Sequence, residues 1–330
     1  VERRVAARDG ARACVTAASL LVSLCVGAGT PGAKPRPAAP PLPSPDSLAW
    51  KLAVVGRFGE RGSGPRQLLE PRGLAVDAFA QLYVADAGMH RLVIFDRDGN
   101  WSSEAGGLGD AAGQLRRPIG VTLTGAGAVA VLDEENRRVV SYDLYGRLIG
   151  VVVELGSEAA RAQHGRTRPI AVASDKGGGL YVVDADQDRV MAFDFSGRFL
   201  RSLGGYGTQP GQLRRPAGVA AGGRGDLWVA ERLNARAQRF DPAGRIVTGW
   251  ALPVERGDGA LAMAVDDSGR VALCDEDAGR VLLFRSDGRL LAWVGGLSRP
   301  AGVAFTAPGR LVVAEAGAGR MSRLEAGPRP

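Results

Sequence analysis

Glycine makes up 48 of the 330 residues, roughly twice its usual share, as many tight turns between short strands require. Glycine plus proline stay below the level that marks a low-complexity chain, which excludes wholesale disorder. The net charge is +7, carried almost wholly by arginine, with Lys34, Lys51 and Lys176 the only lysines. Residues 1–28 hold four arginines against Glu2 and Asp9, a net of +2, so the remainder carries 7 − 2 = +5, too modest a balance to make a polyanion the default partner.

The chain opens with a polar stretch bearing Arg3, Arg4, Arg8 and Arg12, followed by the uncharged, largely apolar run Ala13 to Ala28. Val26-Gly-Ala28 supplies small residues where a signal peptidase cuts, so residues 1–28 are expected to be a signal peptide or short membrane anchor. The protein is then exported: periplasmic, at the cell surface or secreted. A lipidated Cys25 is an alternative tether, but Leu24 stands where lipid-attachment signals carry a small residue. Beyond this segment only Cys274 remains, so no internal disulfide is expected, and a buried, inert thiol is the reading of Cys274. Residues 29–49 are rich in proline and alanine and read as a disordered linker.

From residue 50 onward one phrase recurs six times. Its fixed point is an acid ending a short apolar strand, at Asp86, Asp133, Asp184, Glu231, Asp275 and Glu315, spaced 47, 51, 47, 44 and 40 residues apart. This is the period of a propeller blade rather than of a helical solenoid. The strands before these acids, such as Leu82-Tyr-Val-Ala85 and Leu180-Tyr-Val-Val183, are continuously apolar, as strands covered on both faces should be. Upstream of each lies an innermost strand opening at Pro71, Pro118, Pro169, Pro216, Ala260 or Pro300, whose third residue is always Gly or Ala. Six strands converging on one axis leave room for nothing larger. Downstream, a third strand ends on Phe95, Tyr142, Phe193, Phe240, Phe284 or Leu324, and turns ending in Gly99, Gly146, Gly197, Gly244 and Gly288 lead to a fourth strand. The sixth copy lacks its fourth strand. Lys51 to Gly59 has the character of one and is expected to pair with Arg320 to Glu325, closing the ring and leaving no open edge. The fold expected is all-β: a six-bladed β-propeller of four-stranded blades over residues 50–326, its last blade closed by the N-terminal strand, with residues 327–330 as a tail.

The phrase Pro71-Arg-Gly-Leu-Ala-Val-Asp77, Leu82-Tyr-Val-Ala-Asp86, Arg91-Leu-Val-Ile-Phe-Asp96 and Gly99 resembles the NHL repeat, over about residues 50–325. The inter-repeat phrase Gly113-Gln-Leu-Arg-Arg-Pro118 returns as Gly211-Gln-Leu-Arg-Arg-Pro216. Blades five and six depart from the pattern, with Arg285 where an Asp follows the aromatic and no proline opening the fifth blade. The resemblance, taken here to the exported bacterial type, implies a six-bladed fold. It does not imply one activity, since members bind RNA, bind proteins, sense or act as lyases.

Two arginine sets attract attention. The first forms acid-x4-Arg pairs, Asp86/Arg91, Asp133/Arg138, Asp184/Arg189, Glu231/Arg236, Asp275/Arg280 and Glu315/Arg320. Identical spacing in every blade points to a structural clamp on the loop between second and third strands. The second set, Arg117, Arg168, Arg215 and Arg299 before the inner-strand prolines with Arg116 and Arg214 beside them, should ring the mouth of the central channel and suits carboxylate, sulfate or phosphate groups. Function is expected in the loops that differ between copies, at residues 59–70, 106–117, 155–168, 204–215 and 253–259.

His90 and His164 are the only histidines. They do not make a three-histidine zinc site, and the lyases of the family depend on histidines without counterparts here. No cofactor is expected, and calcium in the channel is a minor alternative. The leading expectation is an exported, monomeric, non-enzymatic binding or scaffold propeller, with a protein or an acidic glycan as partner. A metal-dependent lyase or lactonase-like hydrolase at the channel mouth is one alternative. RNA binding through the basic face is another, set back by the export segment and the scarcity of aromatics in the face loops.

Overall fold

The computed structural model of the protein describes residues 41–223, 225–255 and 257–329; the expectations for residues 1–28 and 29–40 fall outside these. Six four-stranded antiparallel sheets are arranged as blades around a channel. From the channel outward, blade 1 is Pro71–Val76, Leu82–Asp86, Arg91–Phe95 and Trp101–Gly106. Blade 2 is Pro118–Leu123, Val129–Asp133, Arg138–Tyr142 and Leu148–Glu154. Blade 3 runs through Pro169–Ser174, Leu180–Asp184, Arg189–Phe193 and Phe199–Gly204, and blade 4 through Pro216–Ala221, Leu227–Glu231, Arg236–Phe240 and Ile246–Ala251. Blade 5 comprises Met263–Val265, Val271–Asp275, Arg280–Phe284 and Leu290–Val294. Blade 6 takes Pro300–Ala307, Arg310–Glu315 and Arg320–Pro328 from the C-terminus and Trp50–Phe58 from the N-terminal side.

The closure is antiparallel, with Phe58 opposite Met321 and Trp50 opposite Pro328. The C-terminal strand therefore runs two residues beyond the boundary at 326, because Trp50 to Leu52 extend the ladder that far. The last part of the expected disordered linker is also seated. Pro43 carbonyl accepts the Trp293 indole N–H at 2.9 Å, Leu42 packs against the core shared by blades 4 and 5, and Asp46 pairs with Arg329 at 2.8 Å.

Each pair of neighbouring blades shares one apolar cluster, so the core is six wedges rather than one globule. The inner strands meet at the axis as closely as expected. A Cβ added to Gly218 would lie 1.9 Å from the Leu261 carbonyl oxygen of the next blade, and one added to Gly302 would lie 2.0 Å from that of Arg72. The Cys274 thiol is buried at this interface, its sulfur 3.7 Å from the Gly302 carbonyl, and burial pushes its pKa up.

Two features depart from the repeat pattern. The 155–168 loop contains a short helix, Glu158–His164, capped by the Ser157 hydroxyl accepting from Ala160 N–H, and His164 packs on Phe199 at 4.7 Å. The inner strand of blade 5 is only three residues long. There the buried Arg232 guanidinium of blade 4 donates to the Gly259 and Ala260 carbonyls, occupying the place through which a regular incoming strand would run. Among the described residues no helix is long and apolar enough to cross a membrane.

Gly218→Ala and Gly302→Ala are each expected to destabilise the protein by about 1–3 kcal/mol through backbone displacement at the axis, read as a lower urea midpoint at unchanged slope. Ala171→Gly, where the chain already tolerates a Cβ, should cost about 1 kcal/mol or less.

Candidate functional site

All six repeat acids are 0–1% exposed, and each meets its arginine: Asp86 with Arg91 at 3.7 Å, Asp133 with Arg138 at 2.9 Å and Asp184 with Arg189 at 3.1 Å. The remaining pairs are Glu231 with Arg236 at 2.6 Å, Asp275 with Arg280 at 3.0 Å and Glu315 with Arg320 at 3.0 Å. The acids also accept amide N–H groups from the segment entering the blade: Glu70 on Asp86, Arg116 on Asp133, Arg168 on Asp184, Arg214 on Glu231 and Ser298 on Glu315. Asp275 alone takes a side chain instead, Arg232 at 3.0 Å. Most of the paired arginines reach onward to carbonyls of the inter-blade loop, as Arg138 does to Asp110, Ala111 and Gln114. The pairs thus face inward and hold loops in place. Burial wins over these hydrogen bonds at Asp86 and Asp133, whose carboxyls are raised above 3.8. At Glu315 the bonds from Arg320, Ser298 and Ser322 outweigh burial and hold it below 4.5.

The arginines before the inner-strand prolines do converge at one mouth of the channel, around a cavity of ≈ 400 Å³ that includes Arg117, Arg168, Arg215 and Arg299. Arg116 and Arg214 are not part of its wall; the Arg214 guanidinium lies 5.4 Å over the Tyr206 ring. Three of the wall arginines hold left-handed backbone angles, with φ of 57° at Arg117, 50° at Arg215 and 50° at Arg299. For two of them a side chain of the preceding blade receives the amide: His90 Nδ1 from Arg117 at 2.9 Å and Asp188 from Arg215 at 2.5 Å. Such conformations cost free energy and persist where surrounding contacts enforce them.

The mouth is not a bare cationic ring. Arg117 pairs with Glu134 at 2.7 Å, Arg168 with Asp186 at 3.2 Å, Arg299 with Glu276 at 2.7 Å, and Arg215 with Asp258. Arg72 joins Glu70 at 2.9 Å and Glu276 at 3.2 Å. These partners were not singled out from the sequence, yet the signal was present. Glu134, Arg232 and Glu276 directly follow the repeat acid, where the other blades carry Ala87, Ala185 and Ala316. Glu70 takes the pre-proline place that arginine holds in blades 2, 3, 4 and 6.

The ring is consequently lopsided. Glu276 is nearly buried, and although burial opposes ionisation, Arg72, the Ala260 N–H and Arg299 hold its carboxyl below the ordinary 4.5. Among the described residues, the side chains of Arg168 and Arg215, on blades 3 and 4, pair with exposed carboxylates, Asp186 at 36% and Asp258 at 86% exposure. The wall below them is apolar, with Ile119, Ile170 and Ala217. His164 lies in the helix, its pKa lowered by burial and by Arg189. No group of three or more His, Cys, Asp or Glu able to hold a metal occurs among the described residues.

No family model matches the chain. Among curated proteins it is similar to Protein brain tumor of Drosophila melanogaster, 31% identical over 156 residues, covering 47% of this chain and 14% of that protein. It is also similar to the E3 ubiquitin-protein ligase NHLRC1 of Homo sapiens, 30% identical over 144 residues, 42% of this chain and 35% of that one. The fold is a six-bladed propeller, and these similarities agree with the resemblance of its repeat phrase to the NHL repeat. The similarity thus spans at most about a third of either relative's length. Among solved structures, virginiamycin B lyase from Staphylococcus aureus superimposes with a TM-score of 0.58 at 14% identity, covering 84% of this chain and 99% of that one. The gluconolactonase XC5397 from Xanthomonas campestris gives 0.59 at 17%, covering 79% and 87%. At these identities the likeness speaks for the fold alone.

Because the pKa of Glu276 is depressed on folding, its contribution is complete above the unfolded value, about 4.3, and is lost as pH falls through the folded one. Glu276→Gln is expected to remove about 1–3 kcal/mol at pH 7 by leaving Arg72 with Glu70 alone and Arg299 without its nearest carboxylate. It should also flatten the fall of Tm between pH 5 and pH 3, which thermal unfolding across that range measures. An unchanged acid limb would show that Glu276 carries none of it.

Proposed function

We propose that this NHL propeller is a non-enzymatic binding module that receives acidic side chains of a partner protein at the arginine-bearing mouth of its channel. The observation that carries the reading is the pairing of Arg168 and Arg215 with exposed carboxylates alone, above an apolar wall. Exposed ion pairs are weak, and a partner's carboxylate can replace Asp186 or Asp258 with little net loss, whereas the buried Arg72–Glu276 network stays closed. Arginine supplies the planar fork that such groups favour. Export is part of the proposal and rests on the uncharged run at residues 13–28.

An aspartate- and glutamate-rich fluorescent peptide should bind the full chain with strong salt dependence. Arg168→Ala combined with Arg215→Ala should weaken it at least about tenfold, while Arg116→Ala with Arg214→Ala leaves it unchanged. Equal binding by both double variants would sink the assignment to the mouth, and a uronic-acid oligosaccharide that outcompetes the peptide would move it to an acidic glycan. A stoichiometric divalent metal in the purified protein would favour a metal-dependent lyase or hydrolase instead.

A further inference from the structure

The groove between the outer strands of blades 4 and 5 is crossed by a proline-rich piece of the chain itself, Pro41-Leu-Pro-Ser-Pro45. Each proline fixes φ at about −65°, and Ser44 between two of them has φ −51° and ψ 135°, close to polyproline II. In that form the backbone makes no internal hydrogen bonds, so its carbonyls stay open to a donor. The donor is the Trp293 indole N–H, 2.9 Å from the Pro43 carbonyl. Leu42 packs, with Trp250, Leu290 and Trp293, against the cluster that blades 4 and 5 share.

Comparison of the blades singles out this place. The fourth-strand residue opposite the third position of the third strand is Glu104, Val151, Ser202, Gly249 and Arg57 in blades 1, 2, 3, 4 and 6. In blade 5 it is Trp293, opposite Leu282. An indole combines an apolar face with one N–H donor. Aromatic-lined grooves of this chemistry read proline-rich segments, whose preformed helix loses little entropy on docking.

The strap is lightly held. Among residues 41–47 all but Leu42 are exposed. The far end rests on Arg329, which meets the Pro45 carbonyl at 3.1 Å and the exposed Asp46 at 2.8 Å. Exposed pairs contribute little. A weak occupant still fills its groove when a short tether gives it a high effective concentration.

We propose that this groove is a binding site for a proline-rich segment of a partner protein, occupied in the isolated chain by its own strap. The partner's segment displaces the strap, gives a carbonyl to Trp293 and packs an apolar side chain where Leu42 sits. A second copy fits less well. Six residues separate Pro43 from the ring strand at Trp50, a reach of at most about 25 Å, so exchanged straps would press two rings together. The site lies on the rim and shares no residue with the channel mouth.

The test is isothermal titration of the full chain with a peptide of the sequence of residues 37–47. In a chain carrying Pro41→Gly, Leu42→Gly and Pro43→Gly the strap no longer competes, and the peptide should bind saturably at one site. The unaltered chain should bind it at least about tenfold more weakly. Trp293→Phe in the glycine-strap chain keeps a ring, removes the donor and should weaken binding about tenfold. Arg168→Ala with Arg215→Ala should change nothing. Should the glycine strap fail to fold, Leu42→Ala takes its place. No saturable binding up to about 1 mM, binding indifferent to Trp293→Phe, or equal binding of a peptide whose prolines are replaced by glycine would overturn the proposal. So would a concentration-dependent dimer of the unaltered chain that Leu42→Ala abolishes, which would make the occupant a second copy.

Discussion

The architecture depends on burying six carboxylates. A buried carboxylate is tolerable only when its charge is matched and its lone pairs are satisfied. Here each has an arginine five residues on, and five of the six also take an amide from the incoming segment. Moving any of those segments would orphan a charge inside the protein. The loops on this face are therefore held by their backbones, which leaves the side chains beside the anchor points free to differ from blade to blade.

That freedom accounts for what was legible in the sequence and what was not. The acids, the small third residue of the inner strands and the displaced fourth strand are periodic, so six copies expose them by repetition alone. The convergence of Arg117, Arg168, Arg215 and Arg299 was legible for the same reason, as all stand before the inner-strand proline. Their neutralisation was not, because Glu134 and Glu276 are single departures from alanine whose meaning requires knowing which side chains the ring closure brings together. Arg72 and Glu276 are 204 residues apart and meet only because blade 6 lies between blades 5 and 1. The helix at Glu158–His164 was missed because about two turns of helix in a loop have too few residues for a period to show.

The departures are also distributed unevenly around the ring. Blade 5, with Arg232 inserted at its inner edge and three residues in its first strand, has bonded contacts substituting for a regular ladder. Around it Arg72 and Arg299 join the nearly buried Glu276, linking blades 5, 6 and 1. At blades 3 and 4 the mouth arginines Arg168 and Arg215 pair with carboxylates that are themselves exposed. The mouth is thus exchangeable at blades 3 and 4 and tied down where Glu276 joins blades 5, 6 and 1.

The same accounting applies on the opposite face with the sign reversed. There an aromatic ring is wedged between blades at Tyr83, Tyr181 and Trp228, while the equivalent place holds the smaller Ala130, Ala272 and Val312 in the other three blades. Nature has several ways to make good such a deficit: Trp50, on the closing strand, lies beneath the Arg270 guanidinium at 5.2 Å and packs on the cluster that contains Ala272. Val312 itself is buried in the cluster that blades 6 and 1 share. That cluster is continuous around Leu68, Val84 and Met321, so the ring closes there without an aromatic side chain at this place.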